Sequence, residues 1–383
     1  MTNFGLDHDN RAEKVRGKNL NPSRPMKIGI IGSGKVGATI ATLLETCRFC
    51  RGVTLADVRT DVTLRGLTKA KLRQVNVARR AELEVFVRGM DAVVSAAPYF
   101  LNKSIAEAAA RTGVAYFDLT EDVDTTNFVR ALAEKKPQVT FMPQCGLAPG
   151  AINIVGGSLA ASLSSVRLCE MRVGALPLNA SNQMKYYLSW STAGLINEYC
   201  QVGEALHAGR RVTTMPLDGV ERITIDGTEY EAFNTSGGVA TMCETFAGRV
   251  QELNYKTMRY PGHRDLMKFL LQDLNLAPRQ DLVTQIFDQE VPQTESDVVV
   301  FYVSVVGTEK GGGLKQRSFI KKLRGGTVRG RRLNAIQLTT AAGVVAVLEL
   351  FARGRLGPGF VKQESVVLKD FLATQWGGKV YGS

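Results

Sequence analysis

The sequence lacks a long apolar run. Its longest one, at residues 341–351, contains Glu349 and is shorter than the about 18 residues that a membrane-spanning helix needs. Residues 1–25 are polar and mixed in charge, without the apolar segment found in signal peptides. We therefore expect a flexible tail over residues 1–25, no membrane partner and a cytoplasmic location.

Cysteine pairs at the spacing of a zinc site are also missing. Six cysteines are scattered over 383 residues. Cys47 and Cys50 form a CxxC pair, but the pair follows a predicted helix, whereas a thioredoxin-type site precedes one. We therefore expect reduced thiols, no disulfide framework and no metal.

Acidic residues are absent from one strongly basic segment. Residues 310–332 contain nine Lys or Arg and no Asp or Glu, and the formal net charge of the chain is +12. The segment has a single aromatic residue, Phe319, so it offers little stacking surface for bases. We expect a solvated hairpin or a contact within a homodimer, and no nucleic-acid partner.

The remaining composition is typical of a globular protein. Hydrophobic residues make up 44% and charged residues 22% of the chain. The length corresponds to two or three domains at roughly 150 residues each.

From residue 26 onward, short β-branched segments alternate with helical patterns, as βαβ units require. The predicted strands are 27–31, 53–56, 72–77, 92–96, 114–119 and 139–142. The predicted helices are 35–46, 79–89, 102–112 and 124–135. This alternation predicts an α/β domain over residues 26–150, built on a doubly wound parallel sheet of six strands.

A glycine-rich turn at residues 146–150 marks the predicted boundary to a second domain. We expect residues 151–334 to form an α/β substrate and dimerisation domain on a mixed sheet. Its predicted strands are 166–173, 222–225, 257–260 and 298–306, followed by a hairpin between the glycine runs 311–313 and 325–326. Helices are predicted at 335–351 and 362–371.

The first predicted strand leads into a GxGxxG turn that opens the first predicted helix. Gly32 permits a tight turn, Gly34 lets the backbone approach a diphosphate, and Gly37 lets the helix pack closely on the strand. This context predicts a Rossmann domain whose cofactor contacts are Gly32, Ser33, Gly34, Lys35, Val36 and Gly37. The turn also begins the P-loop pattern GxxxxGK, but Val36 replaces the Ser or Thr that binds Mg²⁺, which excludes an NTPase site.

An acidic residue ends the second predicted strand. Asp57 lies 20 residues beyond Gly37, where a carboxylate accepts hydrogen bonds from the adenosine ribose and repels a 2′-phosphate. We therefore expect Asp57 and Val58 to contact the cofactor and NAD to be favoured. Arg59 lies close enough to weaken that preference, so NADP stays open.

Residues at the carboxyl ends of the other strands should border the nicotinamide. The predicted cofactor contacts there are Asn76, Ala96, Ala97 and Pro98. Asp118 could meet a substrate amine or the cofactor. Glu121 is either a substrate ligand or, with Asp122, ordinary charge at a helix N-terminus.

Several longer segments are typical of one family. They are VVSAAPY at 93–99, YFDLT at 116–120, CGLAPGAIN at 145–153, EAFNTSGG at 231–238 and LNYKTMRYPGH at 253–263. With them the chain resembles the saccharopine dehydrogenase-like family, and especially its bacterial lysine dehydrogenase branch. The resemblance implies NAD(P)⁺-dependent oxidation of a carbon–nitrogen bond of lysine or saccharopine to α-aminoadipate semialdehyde. It also implies C-terminal helices, over residues 335–383, that return to the Rossmann domain.

One segment departs from the family pattern. Fungal saccharopine reductases have an arginine near the stretch that reads Asn234, Thr235 and Ser236 here. Saccharopine carries several carboxylates, which arginines bind well. The departure favours lysine or another amino acid with fewer carboxylates, although Arg259 and other basic residues could compensate. Asn234, Thr235, Ser236 and Arg259 are the predicted substrate contacts of this region.

The implied reaction needs a group that takes a proton from the substrate amine. His263 follows a Pro–Gly turn and is the favoured acid–base group, unless it is a structural histidine. Lys185 could act as base or hold a carboxylate, and Tyr186 and Tyr99 could line the pocket. The alternatives are an exposed lysine and packed aromatic rings.

Two other functions stay open at this stage. The enzyme could work reductively and condense a semialdehyde with an amine, giving a carboxynorspermidine-like or opine-like product. The chain could also bind a nucleotide without catalysing a reaction. A small amino acid is the expected substrate.

Overall fold

The computed structural model describes residues 25–59, 64 and 66–382. The predicted flexible tail at residues 1–25 lies outside the described residues except for Pro25.

The N-terminal half of the chain builds a seven-stranded parallel sheet. Its strands are β1 (Met26–Ile31), β2 (Cys50–Asp57), β3 (Ala70–Gln74), β4 (Ala92–Ser95), β5 (Ala115–Asp118), β6 (Thr140–Met142) and, from the C-terminal region, β17 (Gly359–Phe360). The spatial order is β17-β6-β5-β4-β1-β2-β3. The strand order reverses between β1 and β4, which opens a crevice at their carboxyl ends.

Helices cover both faces of this sheet. On one face lie α1 (Lys35–Leu44) and α10 (Ala335–Ala352), and on the other lie α2 (Arg80–Arg88), α3 (Asn102–Thr112) and α4 (Val123–Lys135). Because both faces are covered, the central strands are apolar without alternation, and β4 is buried throughout. The predicted doubly wound Rossmann fold is confirmed.

The seventh strand is the main difference from the predicted sheet. The amides of Gly359 and Val361 donate hydrogen bonds of 2.8 Å to the carbonyls of Val139 and Phe141. A two-residue strand carries no periodic pattern, so the sequence offers no signal for it. The third strand covers residues 70–74, whereas the sequence predicted 72–77.

The second half of the chain forms a mixed eight-stranded sheet. Its strands are β7 (Ser165–Pro177), β8 (Gly203–His207), β9 (Arg210–Thr214), β10 (Glu221–Ile225), β11 (Thr228–Asn234), β12 (Val250–Arg259), β13 (Asp297–Thr308) and β14 (Leu314–Arg324). The order along the main path is β10-β11-β12-β7-β13-β14, with β8 and β9 attached beside β12. The β12–β7 pair is parallel and the others are antiparallel, in agreement with the predicted mixed sheet.

Further helices surround this sheet. They are α5 (Ala151–Ala161), α6 (Thr192–Cys200), α7 (Met242–Phe246), α8 (His263–Lys268), α9 (Gln280–Glu290), α11 (Leu368–Leu372) and α12 (Gln375–Tyr381). Short turns of other helix types lie at Tyr99–Leu101, Phe269–Asp273, Ala277–Arg279 and Gln363–Ser365. Helix α5 begins directly after the turn at 146–150 and, like α10, packs against β13.

Helix α10 corrects the expectation about apolar length. It has 18 residues with a mean hydropathy of 1.8, so by length and composition alone it could cross a membrane. The sequence run at 341–351 underestimated it, because the helix begins at Ala335. In the fold 83% of this helix is buried between α1 and the second sheet, as in a core helix.

Two local predictions are wrong. The glycine runs 311–313 and 325–326 do not enclose a hairpin, because the residues between them form the single strand β14, which pairs with β13. A separate hairpin follows, formed by β15 (Gly326–Val328) and β16 (Arg331–Leu333). The predicted helix at 362–371 is interrupted at Val366 and Val367, which are extended because the Ser158 hydroxyl bonds the Val366 carbonyl and the Leu368 amide.

Candidate active site

The glycine turn lies at the carboxyl end of β1, in the crevice. A Cβ on Gly32 would lie 2.5 Å from the Ala96 carbonyl oxygen, and one on Gly37 would overlap the Gly32 carbonyl oxygen. A Cβ on Gly34, in contrast, would meet no atom within 4 Å. The first hydrogen bond of α1 runs from the Ala38 amide to the Gly34 carbonyl, so the preceding amides have no helical partner. The turn therefore fits a diphosphate group.

Asp57 fixes this turn from the end of β2. One carboxylate oxygen accepts hydrogen bonds from the Ser33 amide (2.8 Å) and hydroxyl (2.7 Å), and the other accepts from the Arg59 amide (3.0 Å). Partial burial opposes ionisation of Asp57, but these hydrogen bonds outweigh it and hold the pKa well below its usual value. A fixed negative charge therefore stands at the predicted ribose position.

The other predicted cofactor contacts border the same crevice. Val58 is exposed beside Asp57, and the Asn76 side chain accepts a hydrogen bond from the Ala78 amide at the end of β3. After β4, Ala96 and Ala97 are half-buried, and Pro98 and Tyr99 are exposed. The Tyr99 ring contacts Phe100 edge to face, so Tyr99 is a surface residue of the crevice and not part of a core.

The second domain closes on the crevice through a loop at residues 235–240. Gly237 has a positive φ of 83°, and a Cβ on it would lie 2.5 Å from the Cβ of Glu121, which follows β5. A Cβ on Gly238 would overlap the Tyr255 ring. The glycine pair is therefore required for the close approach of the two domains at Glu121.

A second buried carboxyl group lies beside Glu121. Glu198, from α6, accepts a hydrogen bond of 3.2 Å from the Thr257 hydroxyl, and its main-chain carbonyl accepts one from the Ser236 amide. Glu121 accepts a hydrogen bond from the Asn197 side chain. Burial and the mutual repulsion of the two carboxylates raise the pKa of Glu121, and burial raises that of Glu198.

Arg259 supplies a buried positive charge to the same region. Its side chain is 2% exposed, and its guanidinium donates hydrogen bonds of 2.9 Å to the Tyr199 hydroxyl and to the Met258 carbonyl. The guanidinium carbon lies 5.2 Å from the Tyr186 ring centre and 5.8 Å from that of Tyr199. Among the described residues no carboxylate lies within 4.0 Å of it. A buried cation without a close anion is costly, so this site is suited to an anionic ligand group.

Comparison with known families identifies this arrangement. The family model of the saccharopine dehydrogenase NADP binding domain matches residues 28–142, and that of the saccharopine dehydrogenase C-terminal domain matches residues 146–376. The chain belongs to the saccharopine dehydrogenase family. Its fold is accordingly that of an NAD(P)-binding oxidoreductase, and the predicted resemblance is confirmed.

Solved structures share the fold. Apo saccharopine dehydrogenase (L-Glu forming) from Saccharomyces cerevisiae has 15% identity and a TM-score of 0.73, over 93% of this chain and 98% of that chain. An engineered D-amino acid dehydrogenase bound to NADP⁺ has 13% identity and a TM-score of 0.48, over 92% and 97% of the two chains. The C. glutamicum DAP dehydrogenase in complex with DAP has 14% identity and a TM-score of 0.45, over 91% and 96%.

The structure corrects the role predicted for Asp118. This residue is fully buried, and both carboxylate oxygens are used inside the protein. One accepts from the amides of Thr120 (3.0 Å) and Gln144 (2.8 Å), and the other from the Tyr116 hydroxyl (2.8 Å). Burial raises the pKa of Asp118 to about 6. Asp118 therefore joins β5 to the turn after β6, and it is not free to meet a substrate amine.

His263 is also misassigned as an acid–base group. Its ring is fully buried, with Nδ1 3.0 Å from the Met184 carbonyl and Nε2 3.1 Å from the Tyr199 hydroxyl. Because the carbonyl only accepts, Nδ1 carries the proton and Nε2 accepts from Tyr199. Burial and the Arg259 charge lower the pKa of His263 to about 3, so the ring stays neutral. His263 positions Tyr199, which in turn holds Arg259.

The remaining predicted substrate residues separate into two groups. Thr235 lies inside the site, since its hydroxyl is 2.9 Å from that of Thr257, and Ser236 contacts Glu198 through its amide. Asn234 instead packs beside Gly219 at the far side of β11. Lys185 is exposed and bonds the Pro261 carbonyl at 3.1 Å, and Tyr186 is buried under Arg259. The structure therefore gives Lys185 no place in the site.

Sequence reasoning missed several residues of this family member's site. They are Glu198, Tyr199, Tyr255 and Thr257. One signal was present, because Tyr255, Thr257 and Arg259 alternate along β12 and so share one face of the sheet. For Glu198 and Tyr199, within an otherwise apolar helix, the sequence gives no indication of the partner.

Proposed function

We propose that the protein is an NAD(P)-dependent dehydrogenase that oxidises the carbon–nitrogen bond of a small amino acid of the lysine or saccharopine type, giving α-aminoadipate semialdehyde. The observation that carries the proposal is Arg259, a buried guanidinium without a close carboxylate, next to two carboxyl groups at the nicotinamide side of the crevice. Such a site offers one cationic and one anionic contact, which suits an amino acid.

Lysine fits this charge pattern better than saccharopine. Saccharopine needs several cations for its carboxylates. The other buried arginine of the second sheet, Arg172, is 1% exposed and already forms ion pairs with Glu221 and Glu170, so it is not available. Ser236 and the glycines after it supply no cation. Arg259 alone would hold a single carboxylate.

Each group has a defined task in this proposal. A bound nicotinamide ring supplies a hydride acceptor at the crevice. Arg259, held by Tyr199 and Met258, would orient the substrate carboxylate and so place the reacting carbon. The loop at 235–240 covers Glu121 and limits access of water.

For the cofactor we propose that NAD binds better than NADP. The fixed charge of Asp57 would repel a 2′-phosphate, since both of its oxygens are held toward the turn. Arg59, 3.5 Å from Asp57 and largely exposed, offers a partly neutralised partner for that phosphate. The matched family model describes an NADP binding domain, so both nucleotides must be compared.

The direct test is reduction of nicotinamide by the purified protein. NAD⁺ or NADP⁺ is mixed with L-lysine or saccharopine, and the absorbance of the reduced nucleotide is followed. We expect faster reduction with NAD⁺ and L-lysine than with any other pair. No reduction with either amino acid and either nucleotide would overturn the substrate assignment, and equal or better rates with NADP⁺ would overturn the cofactor preference.

A further inference from the structure

Two carboxyl groups from different domains meet in the site without a described cation between them. Glu121 follows β5 of the Rossmann domain and lies against Gly237, while Glu198 belongs to α6 of the second domain and bonds Thr257. Their interaction contributes to the raised pKa of Glu121. The domain contact at the loop 235–240 therefore creates the pair.

The charged and titratable groups around the pair are few. Facing it from the surrounding elements are Asp122, Tyr186, Tyr199, Tyr255 and Arg259. Arg259 favours ionisation of Glu198, whereas Asp122 and Glu198 oppose ionisation of Glu121. With one cation nearby, two buried carboxylates do not both stay charged, and the pair retains one proton near neutral pH.

Arg259 is an independent sign that a ligand belongs here. Its guanidinium is buried beside Glu198, yet no carboxylate of the described residues lies within ion-pair distance. A ligand carboxylate would neutralise it. A ligand held in this way would place its positively charged end close to the carboxyl pair.

We infer that Glu121 and Glu198 together bind the ammonium group of the substrate and remove its proton before oxidation. This inference rests on the proposed amino-acid dehydrogenase function and names the residues that carry out its proton transfers. A single residue with this role was expected at His263, Lys185 or Asp118, and none of those side chains is placed for it.

The proton balance of the step is complete. The ionised carboxylate takes a proton from R–CH₂–NH₃⁺, so that an N–H bond breaks and an O–H bond forms. The neutral amine can then lose a hydride, with its electron pair, to the oxidised nicotinamide nucleotide. Water adds to the resulting iminium ion, and the protonated carboxyl returns a proton to the leaving nitrogen. The sum is aldehyde, ammonium, reduced nucleotide and one proton released to solvent.

Infrared spectroscopy of the full chain without nucleotide tests the shared proton directly. At neutral pH the wild type should show the carbonyl stretch of a protonated carboxylic acid that disappears in both Glu121→Gln and Glu198→Gln. The control is Glu204→Gln, which makes the same change at an exposed glutamate paired with Arg211. A wild-type spectrum that neither site variant alters overturns the pair.

Ligand discrimination tests the contact with the ammonium group. With NADH present to prevent turnover, calorimetry compares L-lysine with L-norleucine, which lacks the terminal amine. The wild type should bind lysine about 10- to 100-fold more tightly than norleucine, as a charge-assisted hydrogen bond predicts, and Glu198→Gln should abolish this difference. Equal weakening of both ligands would place the pair at the α-amine and overturn its role at the reacting amine.

Kinetics separate this inference from the proposed function. In Glu198→Gln, kcat for lysine should fall by about 100-fold or more and the acid limb of its pH profile should move, while Glu204→Gln leaves both unchanged. A wild type that binds nucleotide but oxidises no amine overturns the proposed function and the base role together. A wild type that oxidises lysine without the infrared band overturns the pair alone.

Discussion

Substitution of Gly34 by alanine separates cofactor binding from folding. Gly34 precedes α1 with φ −64° and ψ −172°, a conformation open to any residue, and its Cβ would meet no protein atom within 4 Å. Alanine is a poorer N-cap than glycine but restricts the unfolded chain, and the two effects partly cancel. We expect the free energy of unfolding of Gly34→Ala to stay within about 1 kcal/mol of the wild type.

Nucleotide binding should respond very differently. The added methyl group would project into the space in front of the free amides of α1, where we place the diphosphate. Overpacking of this kind costs about 1–3 kcal/mol, which corresponds to about 5- to 150-fold weaker binding. Calorimetric titration with NAD⁺ and urea unfolding of the same preparations measure the two quantities.

Gly37→Ala is the matched comparison. Its Cβ would overlap the Gly32 carbonyl oxygen, so the cost falls on the fold itself, and we expect at least about 1–3 kcal/mol of lost stability. The reasoning about the turn fails if Gly34→Ala binds NAD⁺ as tightly as the wild type. It also fails if Gly34→Ala is destabilised as much as Gly37→Ala.

Other substitutions test the charges of the site. Arg259→Met should weaken L-lysine binding by about 10- to 100-fold in calorimetry, whereas the exposed Arg222→Met should not. Asp57→Asn should shift the NAD⁺-to-NADP⁺ affinity ratio toward NADP⁺ by about tenfold, because a repulsive charge is removed; an unchanged ratio would contradict the role of Asp57. The pKa of His263 is about 3 in the folded protein, below its usual value, so the unfolded chain binds its proton first. The stability that neutral His263 contributes is therefore complete above the usual histidine pKa and is lost as the pH falls toward 3. His263→Gln should flatten the urea-derived free energy of unfolding in that window, and a parallel curve would disprove the assignment.

Much of the Rossmann half was predictable because its signals are local. The strand, the GxGxxG turn and the helix lie within residues 26–44, and each glycine has the role its spacing indicates. Asp57 lies at the predicted strand end, although its hydrogen bonds to Ser33 were not foreseen. The candidate site was predicted only in part, with Arg259, Glu121 and Thr235 placed together and Asp118, Lys185 and Asn234 placed elsewhere.

By itself, the sequence determined the alternation of strands and helices and the phosphate-binding turn, because hydrophobic periodicity and glycine conformations act between near neighbours. Only the tertiary structure decided which charges face one another. His263 is neutral and buried, Asp118 is fully hydrogen-bonded, and Glu121 meets Glu198 across a domain contact. Burial and charge pairing depend on residues far apart in the chain, and they alone set the protonation and availability of each side chain.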